Sequence, residues 1–372
     1  MDEIVIINYP HARTMAKSIF GIPGIGPKKE QALVDAGYRS LDDLKAADFY
    51  EVVKVPGFGM KTVHEIWDYL GLEIVYLGMR KVNVPMTEPV MIENKSIKTW
   101  RVHKKTDNIT IEPEEDKVER TTVWSFPKRG DWATHTAQYR GNWPPQVARN
   151  LIKLYSKPGD TVLDPMVGGG TTPVECKLLG RNSISVDINP DAAAITLDRL
   201  DFNVPEDCSV HNVYVGDARN LNLLEDGSVD MIATHPPYAN IIHYAPLVRG
   251  DISEYTDYPT FFSEFRKAVR EMYRVMKPGG YCAIMIGDTH SSSHFVPIST
   301  HMMLDFLSCG FILKEDIIKR EWNCESDRYL SKYAGAEFLL TMHEHIFVFV
   351  KPDGKSKCQS SSIGFFRDID LG

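Results

Sequence analysis

The chain has no Cys-x-x-Cys pair, no long apolar run and no surplus of positive charge. Its six cysteines, Cys176, Cys208, Cys282, Cys309, Cys324 and Cys358, lie far apart. That scatter argues against a thiol zinc site or a disulfide framework, and reduced thiols are expected. No apolar stretch approaches the roughly 20 residues that cross a bilayer. No basic stretch near the first residue leads into a long apolar one, so neither a secretory leader nor a membrane partner is expected. The expected location is cytoplasmic. The formal net charge of −8 speaks against coating nucleic acid through a broad basic surface, while leaving room for a local basic groove. His343-Glu344-His345 sits in an apolar, strand-like run without helical metal spacing. A core or edge role is expected for it, and no metal.

What the chain does have is ordinary core-forming composition, 43% hydrophobic over 372 residues. That suits one large domain with a small one beside it. The small one is expected at residues 1–73. There Ile22-Pro23-Gly24-Ile25-Gly26-Pro27-Lys28-Lys29 recurs as Val55-Pro56-Gly57-Phe58-Gly59-Met60-Lys61-Thr62. Each copy precedes a helical stretch, Glu30 to Ala36 and Val63 to Leu70, and its glycines permit a tight turn and close backbone approach. Residues 74–122 read as a connecting segment. Within it, Lys98 to Lys105 is basic with one tryptophan, which suits a nucleic-acid contact or a plain helix surface.

From Val123 the pattern changes to strands alternating with amphipathic helices. Strands are expected at Thr161–Leu163, Ser183–Val186, Val229–Ala233 and Tyr281–Ile286, with two more at Phe311–Ile317 and His345–Val350. Helices are expected at Thr172–Leu179 and Tyr258–Met276. This alternation implies an α/β domain over 123–350, a doubly wound, mostly parallel sheet. Residues 351–372, rich in serine and glycine, read as a flexible tail.

Three strand ends carry acids. The first strand runs through Asp164, Pro165, Met166 and Val167 into Gly168, Gly169 and Gly170, then Thr171 and Thr172. Glycines between a strand and a helix make room for a ligand, and the helix start offers N–H groups to a carboxylate. Asp187 closes the next strand, roughly 20 residues on, where an acid can accept hydrogen bonds from both ribose hydroxyls. Asp217 follows a third strand and is placed to meet the exocyclic amine of adenine. Together these describe a pocket for an adenosine with a carboxylate-bearing tail. The loop lacks a Walker lysine and a full dinucleotide fingerprint, which disfavours ATP and NAD.

Directly after the strand ending at Thr234 comes His235-Pro236-Pro237-Tyr238. Two prolines fix the backbone and remove two N–H donors, leaving an edge of carbonyl oxygens. Such an edge accepts hydrogen bonds from an amino group on a flat heterocycle, and the face of Tyr238 can stack on that ring. Gly287-Asp288-Thr289-His290 closes another strand on the same side, where it either lines the pocket or forms a plain turn.

Asp164 to Thr172 resembles the Asp-Pro-Phe-x-Gly-x-Gly-Thr-Thr loop of amino-methylating DNA methyltransferases. His235 to Tyr238 resembles their Asn/Asp/Ser-Pro-Pro-Tyr/Phe motif. Tyr139 to Pro145, with Asn142 and Pro144, looks like the segment that covers the methionine part of their cofactor. The resemblance spans Val123 to Val350. It implies a Rossmann-like class I methyltransferase fold and S-adenosyl-L-methionine as cofactor. Asp164, Pro165, Gly168, Gly170, Thr171, Asp187, Asp217, Asn142 and Pro144 would bind that cofactor. His235, Pro236, Pro237 and Tyr238 would act on an exocyclic base amine. Met166 stands where phenylalanine is usual, and His235 where serine, asparagine or aspartate is usual. A neutral His235 can still accept one hydrogen bond. Thr234 is similar to the threonine of the cytosine enzymes, which favours N4 of cytosine over N6 of adenine.

The N-terminal repeat resembles paired helix-hairpin-helix motifs, which hold phosphates through backbone N–H groups. Gly24, Gly26, Lys28, Lys29, Gly57, Gly59 and Lys61 would face nucleic acid. Residues 1–73 nevertheless carry 8 Lys+Arg against 11 Asp+Glu, so a scaffold or docking role stays open. DNA is the favoured partner. Structured RNA is the alternative, because only about 60 residues separate the glycine loop from the Pro-Pro motif, little room for a separate recognition insert. A non-catalytic nucleic-acid-binding protein is the reading from another class.

Overall fold

The computed structural model describes residues 20–47, 49–72, 76–92, 95–106, 108–238, 250–255, 257–291, 293–322 and 338–354. They fall into two compact units that divide after Val75. No helix among the described residues is long and apolar enough to cross a membrane.

The smaller unit holds four helices, α1 Pro27–Asp35, α2 Leu41–Ala46, α3 Phe49–Val53 and α4 Met60–Leu70. The two copies of the repeat form the same turn. Ile25 N donates to the Ile22 carbonyl at 3.3 Å and Phe58 N to the Val55 carbonyl at 2.9 Å. Each turn has proline second and glycine third, with φ of +80° at Gly24 and +87° at Gly57. A type II turn requires that positive φ at its third position. The apolar turn residues Ile22, Ile25, Val55 and Phe58 point inward. They join Leu33, Leu44, Val52, Val63 and Ile66, so that all four helices contribute to one core. The repeat thus buries its aliphatic positions and leaves Gly24, Gly26, Gly57, Gly59 and Lys28 at the surface.

The larger unit runs through β1 Arg80–Lys81, β2 Val90–Ile92, β3 Lys95–Ile97, α5 Trp100–Lys104, β4 Val123–Ser125, α6 Pro145–Tyr155, β5 Thr161–Asp164, α7 Thr171–Leu178, β6 Asn182–Asp187, α8 Pro190–Leu200, β7 His211–Val215, β8 Val229–Thr234, α9 Tyr258–Val275, β9 Met276–Ile286, β10 Thr289–Ser291, β11 His294–Val296, α10 Ile298–Ser308, β12 Ile312–Arg320 and β13 His343–Val350. Nine strands form one sheet in the order β1-β7-β6-β5-β8-β9-β13-β12-β4. The central run from β7 to β9 is parallel, and β13 enters antiparallel between β9 and β12. The expected doubly wound sheet is therefore present. Val147, Ala148, Leu151 and Ile152 of α6 pack on Val162, Met231, Ala283 and Val348 of the central strands. Each such large aliphatic side chain contributes about 1.5–3 kcal/mol on full burial.

Two details differ from the sequence reading. Residues 76–122, read as a connection, are built into the larger unit. Here β1 edges the sheet against β7, and Trp100, 1% exposed, packs with Trp132, Val174 and Phe202. The basic tract around Trp100 is tied to the protein. Arg101 pairs with Asp201 at 2.5 Å, and Lys104 donates to the Asp131 carbonyl. Of the expected tail, Lys351 anchors on the Tyr273 and Met276 carbonyls at 2.7 and 2.8 Å, and residues 355–372 lie outside the described residues.

The topology positions a site. β5 is the first strand of the central run; β6 and β7 follow on one side of it, β8 and β9 on the other. The reversal opens a crevice at the carboxyl ends of β5 and β8, where doubly wound sheets bind ligands.

Candidate active site

A cleft open to solvent lies at that crevice. Asp164, Asp187 and Asp217, at or just past the ends of β5, β6 and β7, all line it, as do Pro165, Gly168, Asn142, His235 and Pro237. Gly170, Thr171, Pro144, Pro236 and Tyr238 are not part of its wall. Gly170 instead caps α7 at φ +84°. There a Cβ would come within 3.2 Å of the Thr196 backbone. Thr171 is buried in the first turn of α7, and Pro144 is the cap of α6.

The three acids differ in what occupies them. Asp164 is 3% exposed and is saturated by the framework. It accepts from Thr172 Oγ1 at 2.5 Å, Thr234 Oγ1 at 2.7 Å and Met166 N at 3.2 Å. It thereby ties the ends of β5 and β8 to the start of α7. Burial pushes its carboxyl up to about 6. The Thr234 hydroxyl, read from the sequence as part of the base-handling motif, is spent on this joint.

Asp217 is also engaged. Arg219 binds it through Nε to Oδ1 at 2.9 Å and Nη2 to Oδ2 at 2.6 Å. Arg219 reaches on to Glu264 at 2.6 Å and lies 4.2 Å from the Tyr76 ring centroid. Any amine meeting Asp217 would meet a carboxylate whose charge is already balanced.

Asp187 makes only backbone bonds, accepting from Gly168 N at 2.8 Å and Asn189 N at 2.9 Å. It keeps some exposure to the cleft, and desolvation drives its carboxyl up to about 7. Asp251 also lines the cleft, its carboxyl pushed up to about 6 by burial. The cleft therefore suits a ligand that donates hydrogen bonds, such as a ribose. Gly169 has its own reason to lack a side chain, since a Cβ would stand 2.5 Å from the Asn142 amide. Asn142 Oδ1 accepts from Gly169 N at 3.1 Å, which closes the segment over the glycine loop. The hydrogen-bond acceptors that line the cleft fit S-adenosyl-L-methionine.

Across the cleft, His235 stacks on Trp143 with centroids 6.2 Å apart and planes 22° apart. Its Nε2 lies 2.8 Å from the Tyr238 hydroxyl. That hydroxyl donates to Glu344 Oε1 at 2.5 Å, and Lys319 donates to Glu344 Oε2 at 2.7 Å. The Tyr238 ring packs against Gly287, where a Cβ would come within 3.1 Å of it. Gly287 thus backs Tyr238. Asp288 caps α10 through Ser299 N and Oγ, both at 2.8 Å.

Sequence reasoning missed Arg219, Asp251, Trp143, Lys319 and Glu344. Trp143 stood inside the segment Tyr139 to Pro145, and Arg219 stood two residues past Asp217. Lys319 carried no local signal and Glu344 was noticed only as part of His343-Glu344-His345, because they reach the site only through the pairing of β12 with β13 and of β13 with β9. Among the described residues no cluster of His, Cys, Asp and Glu could hold a metal ion. His345 instead meets Asp316 at 3.0 Å. In the smaller unit, Lys29 Nζ donates to Thr62 Oγ1 at 3.1 Å and lies 5.7 Å from the Phe58 ring. The side chain of Lys61 lies outside the described residues.

Comparison with known proteins gives matches along both units. Residues 74–198 and 229–365 match the N6/N4 methyltransferase family model, described as DNA methylase. Residues 17–71 match a model described as a SAM-like helix-hairpin-helix tandem. The type II methyltransferase M.SmaI of Serratia marcescens is 34% identical over 89 residues, 24% of this chain and 29% of that protein. M.Cfr9I of Citrobacter freundii is 35% identical over 81 residues, 22% of this chain and 26% of that one. The matched stretches thus span less than a third of these relatives. A solved SAM-dependent methyltransferase from Methanosarcina mazei is 14% identical, with 54% of this chain and 97% of that one covered and a TM-score of 0.37.

Proposed function

The chain belongs to the DNA methylase family of N6/N4 methyltransferases, and on that premise we propose that it uses S-adenosyl-L-methionine to methylate an exocyclic base amine in DNA, N4 of cytosine ahead of N6 of adenine. The observation that carries the reading is one cleft with two unlike walls. Asp187 accepts hydrogen bonds on one side, and His235 and Pro237 stand on the other. Asp187 would take the ribose hydroxyls, Asp217 the adenine amine, and Asn142 with Pro165 and Gly168 would enclose the rest of the cofactor. When bound, its sulfonium supplies an electrophilic methyl group.

The chain's own work is to hold the amine. The rigid Pro236-Pro237 edge offers carbonyl oxygens, and His235 offers a ring nitrogen. Accepting hydrogen bonds from an aromatic amine turns its lone pair out of conjugation. No strong base is needed, since the amine proton becomes acidic once the methyl is attached. A base in a duplex must first leave the stack, costing a few kcal/mol that the pocket returns. Gly24, Gly26, Gly57 and Gly59, with Lys28, Lys29 and Lys61, would grip phosphates outside the pocket. A DNA substrate fits the cytoplasmic location expected from the composition.

Nucleoside mass spectrometry tests the reading. The protein is incubated with labelled cofactor and either duplex DNA or structured RNA, and both are digested. N4-methylcytosine in DNA alone is the expected result. N6-methyladenine would change the base, methylcytidine in RNA alone would change the polymer, and no labelled nucleoside in either would overturn the activity.

A further inference from the structure

Four side chains behind the catalytic wall form one hydrogen-bonded chain. Lys319 on β12 donates to Glu344 on β13, Glu344 accepts from Tyr238, and Tyr238 meets His235 Nε2. Lys319 and Glu344 are each 8% exposed, so water does not compete for these bonds. Against the cost of burial, the Lys319 charge and its hydrogen bond hold the Glu344 carboxyl below its ordinary value. It is ionised at neutral pH and can only accept.

A hydroxyl has one proton to give. If Tyr238 gives it to Glu344, its oxygen must accept from His235, so Nε2 carries the ring proton. Burial holds the imidazole below its ordinary value, and a neutral ring has one proton in all. Nδ1 is then the bare nitrogen. It is buried and has no partner within hydrogen-bond geometry, although the Gly141 backbone lies close enough to act on the ring. A buried polar atom in that state asks for a partner, and the ring belongs to the cleft wall.

Building on the reading above, we propose that Lys319, Glu344 and Tyr238 are positioning residues that fix His235 as its Nε2–H tautomer, so that Nδ1 is the acceptor for the target amine. The Tyr238 hydroxyl then matters as much as its ring. The sequence pointed only to the stacking face of Tyr238. The competing arrangement has Nδ1–H donating to the backbone of Gly141, which also acts on this ring.

The tautomer is read directly from long-range proton–nitrogen correlation spectra of full-length protein labelled with ¹⁵N-histidine. His235 is assigned among the 12 histidines by the signal lost in His235→Asn. A protonated Nε2 with a bare Nδ1 is expected, with Tyr238→Phe shifting population toward Nδ1–H. A protonated Nδ1 in the wild-type protein overturns the proposal. In single-turnover assays Tyr238→Phe should lose roughly tenfold or more in methyl transfer while cofactor affinity holds. A wild-type rate there overturns the positioning role. The spectrum needs no substrate, so it decides the tautomer even if the protein proves to methylate no base. An Nε2–H spectrum with no transfer to any nucleic acid would instead fault the functional reading.

Discussion

The two walls of the cleft are built by different means. On the cofactor side, Asp164, Asp187 and Asp217 each accept from the backbone N–H two residues ahead, at 3.2, 2.9 and 2.9 Å. Each is a local turn in which a short acid folds back on its own backbone. On the catalytic side, Tyr238 and Glu344 are 106 residues apart in sequence and 2.5 Å apart in space. Their meeting depends on β13 lying next to β9 in the sheet. The turn at each acid of the first wall can be specified by a few consecutive residues, whereas the second wall exists only once the whole sheet has closed. The proposed function predicts a division of labour, with cofactor affinity set on one wall and transfer rate on the other.

The largest test of that division is His235→Ala. Transfer should fall by about a hundredfold, the loss typical of removing one preorganised hydrogen-bonding group, with cofactor affinity near wild type. The pH profile sharpens the point. Burial and the cations Lys319 and Arg129 lower the imidazole's proton affinity, while Glu344 raises it, with burial the largest effect. The net shift is downward, so the ring stays neutral through ordinary pH. Activity should decline only as acid protonates it, and His235→Ala should lose that acid limb. An unchanged rate would leave the Pro236-Pro237 edge acting alone.

Next in size is Asp187→Ala, read by calorimetry with cofactor or its demethylated product. The loss of charge-assisted hydrogen bonds predicts about 1.5–3 kcal/mol weaker binding, with the rate at saturating cofactor preserved. The carboxyl sits at about 7 in the free protein, and only its ionised form accepts from both hydroxyls. Affinity should therefore weaken as pH falls through 7 and level off above it. In stability the sign is opposite. The folded value lies above the ordinary carboxylate value, so this group favours folding most at low pH and loses that contribution as pH rises toward 7. A rate loss at saturation with unchanged affinity would break the comparison outright.

The same contrast explains what could be read from the chain. The alternation of strands and helices, the type II turns at Gly24 and Gly57 and the acid-ended strands are local patterns, and all are legible. β1 was not, because two residues, Arg80 and Lys81, form a strand only by pairing with Tyr214 and Val215. Arg219 was visible beside Asp217 but could not be assigned, since Glu264 and Tyr76 come from distant segments. Thr234 was legible as part of a motif, but its bond to Asp164, 70 residues away, was not. Thr234→Val tests that bond. Its hydroxyl serves Asp164, so the variant should lose about 1–3 kcal/mol of stability in denaturant melts, the cost of stranding a buried acceptor. Which base is methylated should not change. A switch of base would give Thr234 a part in base choice.

The smallest effect should come from outside the cleft. Removing residues 1–75 takes away a unit with its own core, so cofactor affinity should be unaffected. DNA affinity should fall only a few-fold. The unit offers exposed glycine turns and few cations, and residues 1–73 carry more acids than bases. Contacts from backbone N–H groups add affinity but release no counterion. Those from Lys28, Lys29 and Lys61 release one each, and at about 0.9 per phosphate the slope of log affinity against log salt should drop by about 3. Measuring both quantities separates the contributions. A fall in affinity at constant slope would assign the grip to the hairpin backbones alone. A change in slope would bring in the lysines. No change in either would make the repeat a scaffold or a docking element, and the contrast between the two walls of the cleft would then account for nucleic-acid handling without it.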